Sequence, residues 1–496
     1  MRRDSLFPRF VLLLLFIGAF ALRTIGIGVE GLWRDEVDAV RFALEPLPQV
    51  LARFTEPGFN GPLYHLLLRG WLNLAGVNDF ALRYLSVVCG MVLVALMFVV
   101  ARRVHGNGIF AALFAAASPV LVWYSGEGKM YSMQPLVLAL ALYALLRAVG
   151  MAGIVGARRW WIVFVAATLV SFGLHILSPL FLAVVVVAVV FGVRRWDRRA
   201  FVLIGVLGVV LLPFAPYVVG RVGQFLAGGG SGHPAYSLAV IVQTLMANWV
   251  VGLDAGAPFV PSTAPEFVIL AVRWLVIGLF LALALWGAFA PHVRRAAVVI
   301  AAWLLLPALI LYLVSLRVPL FEPRYVLWSA PALYVLADMG LQRLLKAGLS
   351  VRAIACCSLL LTVLLFGGVL AQRVRPIRPA VREAVTEIGR ELQPGDGVVF
   401  QIPYMVYSFD YYLRNDPQRA YATSYDGPFT NAQTGEDEVD ALLAPMLDFH
   451  TRIWLLESES AMWDERGLTR AWFDAHAHLV RRDELRGATV SLYAIE

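Results

Sequence analysis

The chain is 496 residues long, with 60% of residues hydrophobic, 15% charged and a mean hydropathy of +0.74. Soluble globular domains carry about 25% charged residues, so an ordinary water-soluble fold is excluded and a polytopic α-helical membrane protein remains. The net charge of +7 does not point to nucleic acid, because the arginines sit in short doublets between apolar runs, a topological signal.

Arg2, Arg3 and Arg9 precede the first apolar run, Phe10 to Gly28. Signal peptides share that pattern, but no small-residue cleavage site follows and many spans do, so the run is a retained signal anchor. Next comes Leu32-Trp33-Arg34-Asp35-Glu36-Val37-Asp38. Its acids stand where lipid headgroups begin, and charge at such a depth tends to be kept for function. The outer segment 29–80 continues through Pro46, Pro48, Pro57 and Pro62 into Leu63–Trp71. That last stretch is short for a span and aromatic at its ends, which predicts an interfacial or re-entrant helix.

Further spans are expected near 81–101, 108–124, 131–149, 161–177, 179–193, 200–220, 266–289, 296–315, 325–345 and 351–371, about eleven with the first. A second charged cluster, Tyr124-Ser125-Gly126-Glu127-Gly128-Lys129-Met130-Tyr131, follows the third span. The outer loop 221–265 holds a flexible glycine tract at 228–232 and an amphipathic piece from Ser237 to Val251. Its length suits a lid or binding loop. A third cluster, Phe321-Glu322-Pro323-Arg324-Tyr325, precedes span ten, and Asp338 falls inside that span, where an acid is expensive. Cys89, Cys356 and Cys357 all lie in apolar runs and read as small core residues, not a disulfide framework.

Arg2/Arg3, Arg102/Arg103, Arg158/Arg159, Arg194/Arg195/Arg198/Arg199, Arg294/Arg295 and Arg343/Lys346/Arg352 fall on alternate connections. The positive-inside rule makes that side, and the N-terminus, cytoplasmic. All three charged clusters then share the outer side. Arg34, Arg83, Lys129, Arg317 and Arg324 break the rule. Cations beside carboxylates at an outer face suggest an anionic amphiphile next to acid–base chemistry.

The domains divide as a transmembrane part, 1–372, and a C-terminal extracytoplasmic part, 373–496. In the tail a helix is expected over Ala380–Leu392, with strands at Val398–Ile402, Arg452–Leu456 and Thr489–Ile495. Strand alternating with helix indicates a small α/β domain, without a glycine-rich phosphate fingerprint.

The chain resembles the GT-C membrane glycosyltransferases, in the bacterial branch related to protein O-mannosyltransferases and the lipid A aminoarabinose transferase. The resemblance rests on Trp33-Arg34-Asp35-Glu36, Gly61-Pro62-Leu63-Tyr64, Phe80-Ala81-Leu82-Arg83, the stretch from Ser118-Pro119 to Tyr131, and Arg324-Tyr325 with Pro331. It implies a GT-C architecture and transfer of a sugar from a polyprenyl-phosphate carrier to an acceptor hydroxyl on a lipid, glycan or protein. Inversion is the usual outcome. Such chemistry asks for a base on the acceptor, negative potential at an oxocarbenium-like carbon, and positive groups on the departing phosphate.

By resemblance Asp35 is the base. Glu36, Asn60, Tyr64, Glu127, Lys129, Tyr131, Arg324 and Tyr325 are substrate-binding candidates, with Arg324 and Lys129 on phosphate. Relatives carry a histidine before a Pro-Pro pair where this chain has Asn60-Gly61-Pro62. The metal ligands are therefore unknown, with a divalent cation shared by Glu127 and Asp35 as one option. Lys129 replaces an arginine and gives up its bidentate geometry.

Plainer readings compete. Asp35 and Glu36 would cap a helix starting near Val37. Glu127 and Lys129 would be solvated turn residues, and Arg324 would snorkel at a span end. His65 would be a packing residue, His175 a weak metal ligand. A transporter or lipid flippase is the rival function, although it would gather its charges near the midplane. An inert assembly factor acting through the tail is a third.

Overall fold

The structure, a computed structural model, describes residues 6–56, 59–150, 158–192, 234–253, 256–261, 263–428, 430 and 434–495, with 205 and 208. The span expected over 200–220, the glycine tract 228–232 and the basic cluster 194–199 lie outside the described residues. The chain forms two compact units. One comprises Met1–Ile25, Glu45–Val77 and Ala81–Arg375; the other comprises Gly26–Leu44, Asn78–Phe80 and Pro376–Glu496.

The first unit is helical: α1 (Leu6–Thr24), α3 (Leu47–Ala52), α4 (Pro62–Ala75), α5 (Asp79–His105), α6 (Ile109–Ala117), α7 (Pro119–Ser125), α8 (Met133–Ala148), α9 (Arg158–Leu174), α10 (Phe181–Gly192), α11 (Leu238–Val250), α12 (Glu266–Ala288), α13 (Arg294–Ser315), α14 (Ala330–Lys346) and α15 (Val351–Val374). Among the described residues, four helices are long and apolar enough to cross a membrane: α5, α12, α13 and α15. The others on expected spans are shorter or interrupted. Cys89 is buried as expected, whereas Cys356 and Cys357 are exposed on α15. That exposure suits a helix flank turned to lipid.

The expected span 108–124 is broken, and the sequence explains where. Pro119 has no N–H, so the carbonyl of Ala115 loses its helical donor. Ser118 takes an extended conformation and its hydroxyl accepts from the Leu121 N–H at 3.3 Å, starting α7 afresh. Arg23, 2% exposed, supplies the missing donors. Its guanidinium donates to the carbonyls of Ala115 and Ala116, both at 3.0 Å, to Ala19 at 3.1 Å and to Ser125 Oγ at 3.2 Å.

Asp338 has a comparable job at the start of α6. It is wholly buried and accepts from the Ala111 N–H at 3.1 Å and from Gln342 Nε2 at 3.4 Å, with His105 Nε2 at 3.6 Å. An acid on a helix N-terminus meets the positive end of the dipole, which offsets part of its desolvation. Nearby, α12 and α14 touch backbone to backbone. A Cβ on Gly340 would lie 2.2 Å from the Leu283 carbonyl, and one on Gly287 2.1 Å from that of Leu336. Small residues permit such approaches between apolar helices.

The second unit is built on a five-stranded sheet in the order β2-β1-β3-β5-β4. Its strands are β1 (Asp396–Phe400), β2 (Ala422–Asp426), β3 (Arg452–Ser458), β4 (His478–Leu485) and β5 (Ala488–Ala494). β1 runs parallel to β2 and β3, while β5 is antiparallel to β3 and β4. Successive residues alternate faces. Val398, Phe400, Trp454, Leu456, Val490 and Leu492 pack with α16 (Val381–Glu391) and α17 (Met405–Leu413). Val399, Ile453, Leu455 and Tyr493 pack with α18 (Glu436–Leu447) and α20 (Leu468–His476). Burial on both faces explains why the central strands read as unbroken apolar runs. β2 and β4 were not legible as strands; both are polar edges, and charge on an edge guards against further pairing.

Candidate active site

The candidate residues divide between the units. Asp35 and Glu36 belong to the second, on α2 (Arg34–Leu44), which starts three residues before the expected Val37. Both acids therefore lie in its first turn, where the helix dipole favours them. Glu36 is wholly buried and reaches back to accept from the Trp33 N–H at 3.4 Å, the return half of a capping box. Asp35 is half-buried. Of the pair, only Asp35 keeps access to solvent.

The first unit holds Asn60, Tyr64, Glu127, Lys129, Tyr131, Arg324 and Tyr325. Lys129 sits in a tight turn, its N–H donating to the Glu127 carbonyl at 2.9 Å. The turn is tied to α5 by Ser86, whose hydroxyl donates to the Lys129 carbonyl at 3.3 Å, and by Ser132, which donates to the Ser86 carbonyl at 2.8 Å. Gly128 is pressed on Leu82, 2.4 Å from a Cβ placed there. Glu127 is wholly buried, so it is not a solvated turn residue. A carboxylate so far from water persists only among cations or donors. Lys129 is half-buried and acts electrostatically on His65.

Arg324 lies on a short 3-10 turn, Pro323–Ser329, with its guanidinium 5.6 Å from the Tyr131 ring. The Tyr131 and His175 rings are 6.0 Å apart, and those of His175 and Tyr325 are 5.4 Å apart. A cation and two tyrosines thus surround one histidine. Asn60 buttresses the group, its Oδ1 accepting from the Ile176 N–H at 3.1 Å. Tyr64 is buried against His65, with rings 5.8 Å apart, and His65 also meets Phe59 at 5.3 Å, as a packing residue would.

Sequence reasoning undervalued two residues here. Arg83 is fully buried on α5, one helical turn before Ser86. Its signal was present, since it breaks the positive-inside pattern. His175 was weighed as a metal ligand, but its Nδ1 accepts from the Leu177 N–H at 3.1 Å. In the neutral ring that places the proton on Nε2, a buried atom with no hydrogen-bond partner among the described residues, which makes it a donor. Among the described residues no three His, Cys, Asp or Glu side chains converge.

Residues 57–219, about a third of the chain, match the family model described as dolichyl-phosphate-mannose-protein mannosyltransferase. No curated protein matches the sequence. Among solved structures, ArnT from Cupriavidus metallidurans bound to undecaprenyl phosphate superposes with a TM-score of 0.59 over 97% of each chain, at 15% identity. The apo form of the same protein gives 0.48 at 14% identity, again over 97% of each. The chain therefore has the fold of ArnT across nearly its whole length, and about a third of it is similar to the protein mannosyltransferase family.

Proposed function

We propose that the protein is an integral-membrane glycosyltransferase. It moves a hexosyl or pentosyl group from a polyprenyl-phosphate carrier to an acceptor hydroxyl, with inversion, on the outer face of the cytoplasmic membrane. One observation carries the reading: Arg324, Tyr131, Tyr325 and the Nε2–H of His175 form a cationic, donor-rich cluster in a chain whose fold is that of a polyprenyl-phosphate-binding protein. Arg324 and Lys129 stabilise the departing phosphate as its charge develops. Asp35 takes the acceptor proton as the hydroxyl attacks the anomeric carbon. Glu127 lends negative potential to the oxocarbenium-like centre or holds sugar hydroxyls. The carrier lipid, the acceptor and the surrounding membrane are the partners.

Purified protein is to be given radiolabelled polyprenyl-phosphate sugars, with Asp35→Asn alongside. Transfer by wild type, reduced at least ~10²-fold in the variant, supports the reading. Full activity in Asp35→Asn sinks the base assignment. Absence of transfer from every donor, together with substrate-dependent uptake into vesicles, would favour the flippase or transporter instead.

A further inference from the structure

Asp35 lies on a segment that is held by residues more than three hundred positions away. Tyr412 Oη accepts from the Leu32 N–H at 2.5 Å. Arg382 donates to the carbonyl of Gly28 at 3.1 Å and to that of Val29, and reaches Asp79 Oδ2 at 3.3 Å. Arg378 and Arg486 grip Glu30 at 3.6 and 3.4 Å. Gly31 has to be glycine, because a Cβ there would stand 2.7 Å from the Arg382 Cβ.

The last anchor, Arg34, is the residue directly before Asp35. Its guanidinium lies 5.5 Å from the Tyr404 ring and 5.8 Å from the Trp463 ring, with Glu459 Oε2 at 3.8 Å. Glu459 also accepts from Trp463 Nε1 at 3.3 Å, which fixes the acid against the indole. Tyr404 follows the carboxyl end of β1 and Glu459 directly follows β3. β2 leaves on the other side of β1, so this is the point where strand order reverses, the place where open α/β sheets bind ligands. Glu459 has a φ of 49°, one of two left-handed non-glycine residues among those described. Such a conformation costs about 1–2 kcal/mol and persists where surrounding contacts over-determine it.

We infer that the sheet domain positions the base: the switch point formed by Tyr404, Glu459 and Trp463 clamps Arg34 as a positioning residue and so sets the place of Asp35. The inference rests on the assignment of Asp35 as base. In this fold the crevice that usually takes a ligand takes a side chain of the catalytic loop. An arginine suits it, since its plane lies against aromatic faces while its N–H groups face a carboxylate; a lysine would keep the charge and lose the stacking. Arg34, Tyr404 and Glu459 lie outside the two apolar cores of the domain, so their substitution spares the fold, whereas Trp463 packs against the edge of the first core.

The test uses full-length protein in lipid nanodiscs with Glu459→Gln, Trp463→Leu, Arg34→Lys and the Arg34→Lys/Glu459→Gln double variant. Two readouts are taken: amide hydrogen exchange over residues 32–38 and steady-state sugar transfer. The expected result is exchange faster by about 10-fold or more in each single variant, with an unchanged melting temperature in Glu459→Gln and Arg34→Lys. kcat falls about 10- to 100-fold while the donor KM stays within about twofold, as displacement of a reacting group predicts. The double variant is no worse than its worse parent, because both singles break one clamp. Unchanged exchange in Glu459→Gln and Trp463→Leu overturns the clamp. Faster exchange with unchanged kcat, or single effects that multiply in the double variant, overturns its positioning role. If wild type transfers no sugar the base assignment falls and takes the catalytic half of the inference with it, while exchange still decides whether the clamp exists.

Discussion

Tyr334→Phe is a sharp test of how the broken span is held. Tyr334 is wholly buried on α14, and its hydroxyl donates to the Trp249 carbonyl at 2.6 Å. That carbonyl lies in the last turn of α11 and has no helical donor. The single phenolic proton being used there, the 2.6 Å contact with Ser118 Oγ has the serine as donor. Ser118 is also wholly buried and caps α7. Phenylalanine keeps the ring, so no cavity opens; what is lost is one partner each for a buried carbonyl and a buried hydroxyl. At about 1–3 kcal/mol per orphaned group the variant should lose about 2–6 kcal/mol. Ser118→Ala loses its cap, about 0.5–2 kcal/mol, and the same hydrogen bond. The pair should therefore couple by about 0.5–3 kcal/mol in a double-mutant cycle. Denaturant unfolding in mixed micelles, followed by tryptophan fluorescence, measures all four proteins. A Tyr334→Phe loss under about 0.5 kcal/mol, or strictly additive effects, would refute this account of the Ser118-Pro119 break.

Other consequences can be checked in the same preparations. Gly90→Ala would push a Cβ to 2.1 Å from Ser125 Oγ and 3.1 Å from Arg23 Nε; overpacking of about 1–3 kcal/mol is expected, with partial relief on adding Ser125→Gly, in thermal melts. Trp454→Ala removes a fully buried indole that donates to Asp396 Oδ2 at 3.0 Å. It should destabilise the sheet domain by about 3–5 kcal/mol, read as faster proteolysis after residue 376. In a variant lacking the native cysteines, Asp440→Cys should react with an impermeant maleimide from outside, and Leu349→Cys only after permeabilisation. The opposite pattern reverses the proposed orientation.

Much of the transmembrane part was legible because apolar runs of membrane length leave few alternatives. The central strands were legible for a similar reason, since burial on both faces makes β1, β3 and β5 conspicuous. Three features were hidden by their dependence on distant partners. The edge strands β2 and β4 carry polar and charged residues, so no apolar alternation announces them. The grouping of 26–44 with the tail depends on hydrogen bonds such as Leu32 to Tyr412, 380 residues apart, which leave no local periodicity. The use of His175 turns on a tautomer set by the Leu177 N–H, and composition cannot report that. Asp338 was visible as an expensive acid, but its partner, the N-terminus of α6, became evident only with packing.

Two adjacent acids invite a shared role, yet their surroundings separate them. Glu36 is wholly out of solvent with its carboxylate turned back on the Trp33 N–H, where it helps to start α2. Asp35, one position earlier, keeps part of its surface in solvent. Glu36→Gln can still accept that hydrogen bond but gives up the charge favoured at a helix N-terminus, a loss of about 0.3–1 kcal/mol. Its amides at 34–38 should exchange modestly faster, and transfer should fall by less than about 10-fold. Asp35→Asn should show the reverse: native exchange over α2, and transfer lower by about 10²–10⁴-fold because the acceptor hydroxyl has lost its base. If Glu36→Gln is the more damaging for transfer while exchange is unchanged, the roles are exchanged, and the buried acid is the one that meets substrate.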